Sequence, residues 1–262
     1  MRSITERRRN NGGRGAAWLT RFAALVFWIA VWLFAAHYIG SDLLLPAPWK
    51  VVRELFVLVQ TSAFWQAIAY TGIKILTGFF SAVGVGCLLA ALSGACKYIK
   101  ILVYPLMAAM KSVPVASFVI LALFWLDSAS LSVFIAFVMV LPVIYINVLA
   151  GIDACDEKIL EAARVFRVST PAKAAFVYLP QVFPYLRSGF AVSLGLCWKA
   201  GVAAELIGIP RGSVGEQLYF SKIYFQTADL IAWTVVIVLL SVCFEKLFLW
   251  LLDRIFAWYE RV

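Results

Sequence analysis

Six long apolar windows, separated by shorter polar connections, constrain what this chain can fold into more than any other feature of its sequence. They cover residues 22–39, 68–92, 101–126, 131–152, 188–209 and 230–252. Each window meets or approaches the length of about 20 residues that a helix needs to cross the hydrocarbon core of a bilayer. Apolar residues make up 64% of the chain and charged residues 14%, a balance that a soluble domain does not reach. The sequence therefore predicts an all-α, polytopic membrane protein with about six transmembrane helices.

The distribution of lysine and arginine predicts how these spans are oriented. Counting Lys246 near the end of the sixth window, 16 basic residues fall on the side of the N-terminus and 4 on the other side, and six arginines lie within residues 1–21. Because cytoplasmic loops carry the excess of positive charge, both termini are predicted to be cytoplasmic. We expect a basic cytoplasmic tail over residues 1–21 and a single transmembrane domain over residues 22–262. The tail is expected to contact anionic lipid and not nucleic acid.

The connection between the first two windows contains an amphipathic segment. Val52, Leu55, Phe56 and Val59 share one helical face, from which the neighbouring charged side chains are absent. This pattern predicts an interfacial helix that lies flat on the outer leaflet.

Residues 153–180 form the longest polar stretch after the tail, on the predicted cytoplasmic side. Ile159, Ala162, Ala163 and Phe166 recur at helical spacing, which predicts an amphipathic helix with an apolar face to bury. A cap and a proline at residues 169–171 then begin a second short helix, expected to run through Tyr178. The sequence predicts a helix, a bend and a helix that could dock a partner, or a loop tucked against the spans.

This stretch resembles the EAA signature of the permeases of ATP-binding-cassette importers. The signature reads Glu-Ala-Ala, three residues, Gly, nine residues, an aliphatic residue, any residue, and Leu-Pro. The matching positions and the basic residue beside them are Glu161, Ala162, Ala163, Arg164, Arg167, Val177, Leu179 and Pro180. Arg167 stands where the signature has glycine, so the left-handed bend expected there would cost about 1 kcal/mol of strain.

The resemblance covers most of the chain and is greatest to the nitrate, sulfonate, taurine and bicarbonate permease group. The supporting motifs, in chain order, are Leu45-Pro46-Ala47-Pro48, Tyr104-Pro105, Ser112-Val113-Pro114, Trp198, Ala204-Glu205-Leu206 and Gly212-Ser213-Val214-Gly215. The resemblance implies a type I importer permease bundle in the bacterial inner membrane. It also implies a second permease copy as a homodimer, two ATPase subunits, an extracytoplasmic substrate-binding protein and a small anionic substrate.

The chain itself is expected to be a transport subunit and not an enzyme. It contains no Gly-x4-Gly-Lys-Ser/Thr phosphate loop, so ATP and magnesium are expected on the partner ATPase. It contains neither a HExxH motif nor a clustered set of cysteines and histidines, so no metal or other cofactor is expected in it.

Ionisable residues within the windows are candidates for the translocation pathway, because a charge in hydrocarbon costs about 2.5 to 3.5 kcal/mol on insertion scales. The candidates and their neighbours are Lys111, Ser112, Trp198, Lys199 and Glu205. Lys199 and Glu205 lie about 240° apart around a helix and cannot pair along one face. The alternative is that these charges form structural ion pairs or bind backbone carbonyls.

Side-chain size predicts which windows face lipid. The fifth window is rich in glycine, alanine and serine, which suits a helix packed centrally in a bundle. The fourth carries bulky apolar residues and is expected to face lipid, namely Val133, Phe134, Ile135, Phe137, Val138 and Met139.

Three other functions are compatible with the sequence. The substrate could be a neutral or cationic small heterocycle, or the chain could be a secondary transporter that works alone, or a membrane scaffold that transports nothing. A coupled carrier usually needs intramembrane carboxylates and inverted repeats. Glu205 is the only acid deep in a window, and the two halves show no repeat.

Overall fold

The computed structural model describes the backbone of residues 4–259 and the side chains of residues 19–20 and 22–259. Within this part of the chain the regular structure is entirely helical. The helices are α1 (Ile4–Ile39), α2 (Pro48–Val59), α3 (Ser62–Ala95), α4 (Lys97–Ser112), α5 (Val115–Ala122), α6 (Ser128–Asp153), α7 (Glu157–Val165), α8 (Thr170–Lys173), a π turn (Ala174–Tyr178), α9 (Leu179–Gly208), α10 (Val214–Ile223) and α11 (Thr227–Tyr259).

Five helical segments are long and apolar enough to cross a membrane, and a bent pair can supply a sixth. They are Phe22–Ile39, Ser62–Ala95, Ser128–Asp153, Thr170–Gly208 and Thr227–Tyr259, with α4 and α5 as the bent pair. The predicted all-α, polytopic fold is therefore confirmed. Helix α1 begins at Ile4, so most of the predicted basic tail is helical, while residues 1–3 of that tail lie outside the described residues.

The chain forms two compact units, residues 1–60 with 221–232, and residues 61–220 with 233–262. In the first unit, the indole nitrogen of Trp32 on α1 donates to the carbonyl of Pro46 at 3.1 Å, just before α2 begins. The predicted amphipathic helix is present as α2, and Val52 and Phe56 on its apolar face are exposed. The outer-leaflet position of α2 and the single domain over residues 22–262 stay predictions.

In the second unit, α6 packs against both α3 and α9 and forms the centre of the bundle. Ile135 is fully buried and the exposed fraction of Val138 is 2%, so the prediction that this window faces lipid is wrong. Gly78 of α3 explains the close packing, because a Cβ there would lie 2.3 Å from the carbonyl oxygen of Val133. Bulky apolar side chains suit lipid and a helix interior equally well, so their size did not distinguish the two.

The third predicted window is not one straight helix. It divides into α4 and α5, which are bent by 103° relative to each other around Val113 and Pro114. Val113 is extended, as expected for a residue that precedes proline, because the proline ring disfavours helical geometry there. The window is therefore a broken span or a re-entrant segment.

The fifth predicted window is longer than expected, whereas the third is divided, because the helix that contains the fifth window starts earlier than predicted. The helix predicted to end at Tyr178 instead continues through the π turn into α9, so that residues Thr170–Gly208 form one helical run of 39 residues. In the π turn, the Leu179 N–H reaches back to the carbonyl of Ala174. Proline near the start of α9 and Pro184 within it did not stop the helix.

Helix α11 lies along α3 and α9 through aromatic contacts within the second unit. Phe248 contacts Phe79 of α3 and Phe190 of α9, with ring centroids 5.7 Å and 5.2 Å away. Towards the C-terminus, the rings of Phe256 and Phe183 stack at 3.5 Å. These contacts bring the C-terminal end of α11 to the start of α9.

Candidate functional sites: the coupling segment and the Glu205 node

The coupling segment, residues 153–180, begins with a capped helix. Asp156 is the N-cap of α7, and its side chain accepts a hydrogen bond from the Lys158 N–H at 2.8 Å. The Asp156 N–H itself donates to the side-chain oxygen of Gln181 at 2.8 Å, which fixes the start of α7 to α9. Gln181 could not be identified from the sequence, because a lone glutamine carries no motif.

Helix α7 ends in the left-handed bend that the EAA resemblance implies. Arg167 has φ of +49°, so the arginine takes the conformation for which glycine would be preferred. The Val168 N–H donates to the carbonyl of Ala163 at 2.9 Å, and the Arg167 N–H donates to that of Arg164 at 3.1 Å. This pair of bonds is the Schellman motif, which satisfies the carbonyls at the helix end and holds the bend despite the arginine.

The face of α7 that was expected to be buried is largely exposed. Ala163 is the buried member of the Glu-Ala-Ala triplet, whereas Glu161, Ala162 and Arg164 are exposed. The exposed fraction reaches 77% for Val165 and 80% for Phe166, both large apolar side chains. Among the described residues, nothing covers this apolar surface at the bend.

The second half of the coupling segment is tied to the C-terminal end of α11. The Tyr259 hydroxyl donates to the carbonyl of Ala175 at 2.8 Å, and the Tyr259 ring stacks on Phe176. Leu179 and Pro180 lie in the first turn of α9, and Leu179 is exposed. Nearby, the Arg187 guanidinium makes two bonds to Asp253, at 2.6 Å and 2.9 Å.

Of the candidate pathway residues, Lys111, Ser112 and Lys199 are exposed in this chain. The Ser112 hydroxyl donates to the carbonyl of Ala109 at 3.0 Å, at the end of α4 where the span bends. Trp198 is buried, and its indole N–H has no hydrogen-bond partner among the described residues. Lys199 and Glu205 make no ion pair with each other, as the helical spacing predicted.

Glu205 lies in a buried polar cluster, here called the Glu205 node, formed by Glu205, Thr71, Val214 and Gly215. The carboxyl is fully buried, and its Oε2 accepts from the Thr71 hydroxyl at 2.7 Å and from the Gly215 N–H at 3.3 Å. The Thr71 oxygen also accepts from the Val214 N–H at 3.0 Å. The node therefore joins α3, α9 and the start of α10.

One carboxyl oxygen of the node has no bond. Glu205 Oε1 and the buried hydroxyl of Ser132 on α6 both lack a hydrogen-bond partner in the described part of the chain. Thr71 is 134 residues away from Glu205 in sequence, so no local motif could have revealed the pair.

The turn between α9 and α10 fits tightly against the node. A Cβ on Gly215 would lie 2.3 Å from the Cβ of Glu205 and 2.5 Å from its carbonyl carbon, so only glycine allows this approach. Ile209 ends α9 with φ of +49°, and its N–H donates to the Glu205 carbonyl at 2.7 Å. A β-branched residue rarely adopts this conformation, so the surrounding contacts hold it there.

These features define a class, an all-helical, polytopic membrane protein with an exposed apolar bend between α7 and α8. The chain belongs to the family described as binding-protein-dependent transport system inner membrane component, whose model matches residues 82–260. The resemblance to importer permeases is thus confirmed.

Over most of its length, the chain is similar to three permeases that are named for their substrates. It is 24% identical to the taurine transport system permease protein TauC of Escherichia coli, over 88% of this chain and 86% of the relative. It is 26% identical to the nitrate import permease protein NrtB of Synechocystis, over 91% of this chain and 86% of the relative. It is 28% identical to the bicarbonate transport system permease protein CmpB of Synechococcus elongatus, over 76% of this chain and 68% of the relative.

Proposed function

We propose that this chain, paired with a second copy, forms the translocation pathway of a bacterial inner-membrane importer for small anions. The observation that carries the substrate class is the similarity to permeases named for taurine, nitrate and bicarbonate, all of them small and bearing an anionic group. Lys111 and Lys199 are exposed within membrane segments and are proposed to line this pathway, where a cation in contact with water favours anions. Both termini are proposed to lie in the cytoplasm.

The coupling segment is proposed to dock into a groove on a separate ATPase, which binds ATP and magnesium. Support comes from the apolar surface at the bend, where Phe166 and Val165 are exposed beside the small side chain of Ala162. A bulky aromatic next to a small residue suits a contact in which the aromatic enters the partner and the backbone approaches closely. Two ATPase copies and an extracytoplasmic binding protein complete the proposed importer.

Uptake in proteoliposomes tests this proposal. The chain is reconstituted with its ATPase and binding protein, and ATP-dependent uptake is compared for taurine, nitrate, bicarbonate and a cationic heterocycle. We expect uptake of one anion, reduced by Lys111→Gln or Lys199→Gln and unchanged by Lys222→Gln, which removes an exposed lysine from α10. Uptake of the heterocycle alone would contradict the substrate class, and uptake without any ATPase would make the chain a secondary transporter.

A further inference from the structure

A groove of about 560 Å³ opens where the C-terminal end of α3, the first turns of α4 and the C-terminal end of α6 meet. We call it the α4 groove, and it is lined by Ser93, Gly94, Lys97, Lys100, Ile101, Tyr104 and Asp153. It lies on the predicted cytoplasmic side, because both lysines belong to the basic set that fixed the orientation. The groove touches the coupling segment only at its first residue, Asp153, and lies apart from both the exposed bend at Phe166 and the Glu205 node.

The α4 groove carries positive charge that the described residues neutralise only in part. Lys97 and Lys100 lie in the first turn of α4, where the helix dipole already places positive charge, so two cations there are unfavourable without an anion. No acid lies in that first turn, and Cys96 at the N-cap gives no side-chain hydrogen bond. Lys100 pairs with Asp153 at 2.7 Å, but exposed Lys97 has no ion pair among the described residues.

The surroundings of the groove are those of a membrane interface. Tyr98, Ile101, Leu102 and Tyr104 are all strongly exposed on α4. Tyrosines concentrate at the headgroup level of membranes, while exposed aliphatic side chains one turn further along a span meet acyl chains. An anion that satisfies the lysines while covering this apolar surface must itself be amphipathic.

We propose that the α4 groove binds an anionic phospholipid of the cytoplasmic leaflet, with its phosphate at Lys97 and the N-terminus of α4. Lys100 contributes a second, partly neutralised charge, and the acyl chains lie along Ile101 and Leu102. Basic pockets between transmembrane helices on the cytoplasmic side are a recognised setting for anionic headgroups.

Lipid retention by the full-length chain, purified with its ATPase, tests the site. The complex is equilibrated in mixed micelles with equal amounts of phosphatidylglycerol and phosphatidylcholine, and bound lipid is measured by mass spectrometry of the intact complex. Wild type is expected to retain phosphatidylglycerol preferentially. Lys97→Gln should weaken that retention about fivefold, since one basic residue near a membrane surface contributes about 1 kcal/mol. Retention of phosphatidylcholine should not change.

A second variant, expected to change lipid retention in the opposite direction, distinguishes a lipid site from a purely structural role of these residues. Asp153→Asn frees Lys100 and should raise phosphatidylglycerol retention above wild type, which loss of packing could not do. Arg254→Gln removes an exposed charge near the C-terminal end of α11 and should leave retention unchanged. Equal retention in Lys97→Gln and wild type would overturn the proposal. So would displacement of the lipid by inorganic phosphate but not by chloride at equal ionic strength, which would identify a site for the free anion.

Discussion

The Thr71 hydroxyl donates to Glu205 Oε2 at 2.7 Å while its oxygen accepts from the Val214 N–H at 3.0 Å. One side chain on α3 thus holds both the acid of α9 and the first residue of α10. The cluster is buried, so losing this hydroxyl leaves the Val214 N–H without its acceptor and Glu205 Oε2 with only the longer bond from the Gly215 N–H, where water cannot replace it.

Thr71→Val should therefore destabilise the folded chain. The isosteric change removes both hydrogen bonds, and buried unpaired groups cost about 1 to 3 kcal/mol each. Thr71→Ser should retain most of the stability. The free energy of unfolding in detergent, measured with denaturant, is the readout. Thr77→Val is the matched control, because the exposed Thr77 hydroxyl bonds only to the carbonyl of Ile73 in its own helix. Equal stability of the Thr71→Val and Thr77→Val variants would contradict the bridging role.

Gly215→Ala should displace the turn between α9 and α10. Its Cβ would overlap the backbone of Glu205, and overpacking of a buried site costs about 1 to 3 kcal/mol. The expected result is a lower unfolding temperature and reduced transport. Gly84→Ala provides the control, because a Cβ on Gly84 in α3 meets no atom within 4 Å. A Gly215→Ala chain as stable as the Gly84→Ala chain would rule out the close fit.

Ala162→Arg should uncouple the chain from its ATPase without preventing membrane insertion. Ala162 is exposed on α7, so an arginine there would block the proposed docking surface without disturbing the packing of the chain. Ala163 is buried, so a substitution there would also disturb the packing. Substrate-stimulated ATP hydrolysis of the reconstituted complex should be abolished. Ala95→Arg, at an exposed position at the C-terminal end of α3 and outside the coupling segment, should preserve it. Unchanged stimulation in Ala162→Arg would count against docking through this face.

Arg167→Gly should keep both assembly and transport. Glycine adopts the left-handed bend without the strain of about 1 kcal/mol that arginine bears, so the variant should be equally or more stable. Arg167→Val should be less stable, because a β-branched residue tolerates positive φ poorly. Thermal unfolding and copurification with the ATPase are the measurements. Loss of the ATPase from Arg167→Gly would mean that the arginine side chain itself makes the contact.

Thiol labelling should separate the two charges of α9. The variants are made in a background without the five native cysteines. Lys199→Cys should react with a small water-soluble thiol reagent if Lys199 faces the pathway. Glu205→Cys should stay inert in the resting complex, because Glu205 is fully buried. Val138→Cys is the buried control on α6. An inert Lys199→Cys in both resting and ATP-trapped complexes would remove Lys199 from the proposed pathway.

Much of the fold followed from the sequence because hydrocarbon admits few solutions for a spanning backbone. Five of the six windows correspond to a long apolar helix, and Arg167 takes the left-handed conformation implied by the EAA spacing. The third window was predicted as one span although Pro114 lies within it. Its 103° bend depends on what α5 packs against, and Val119 is fully buried in a cluster with Leu131 of α6.

Burial was harder to predict than helicity. The hydrophobic effect does not drive one membrane helix against another, so the phenylalanines and valines of α6 carried no sign that they lie at the centre of the bundle. Glycines carried more information, since Gly78 and Gly201 mark the places where α3 closely approaches α6 and α9. The environment of Glu205 depends on Thr71 and Gly215, which only the folded chain brings together.

The helical run from Thr170 to Gly208 starts three residues after the bend at Arg167 and ends just beyond Glu205. At 1.5 Å per residue its 39 residues measure about 58 Å, more than the thickness of a whole bilayer. A hydrogen-bonded helix resists both compression and stretching along its axis. A displacement at one end is therefore transmitted to the other end, and the helix can bend most easily at the π turn and the neighbouring prolines. A displacement of the bend at Arg167 would therefore be transmitted along one continuous helical run to the turn held by Glu205. The bend and the Glu205 turn are the two ends of one helical element, so the position of either constrains the position of the other.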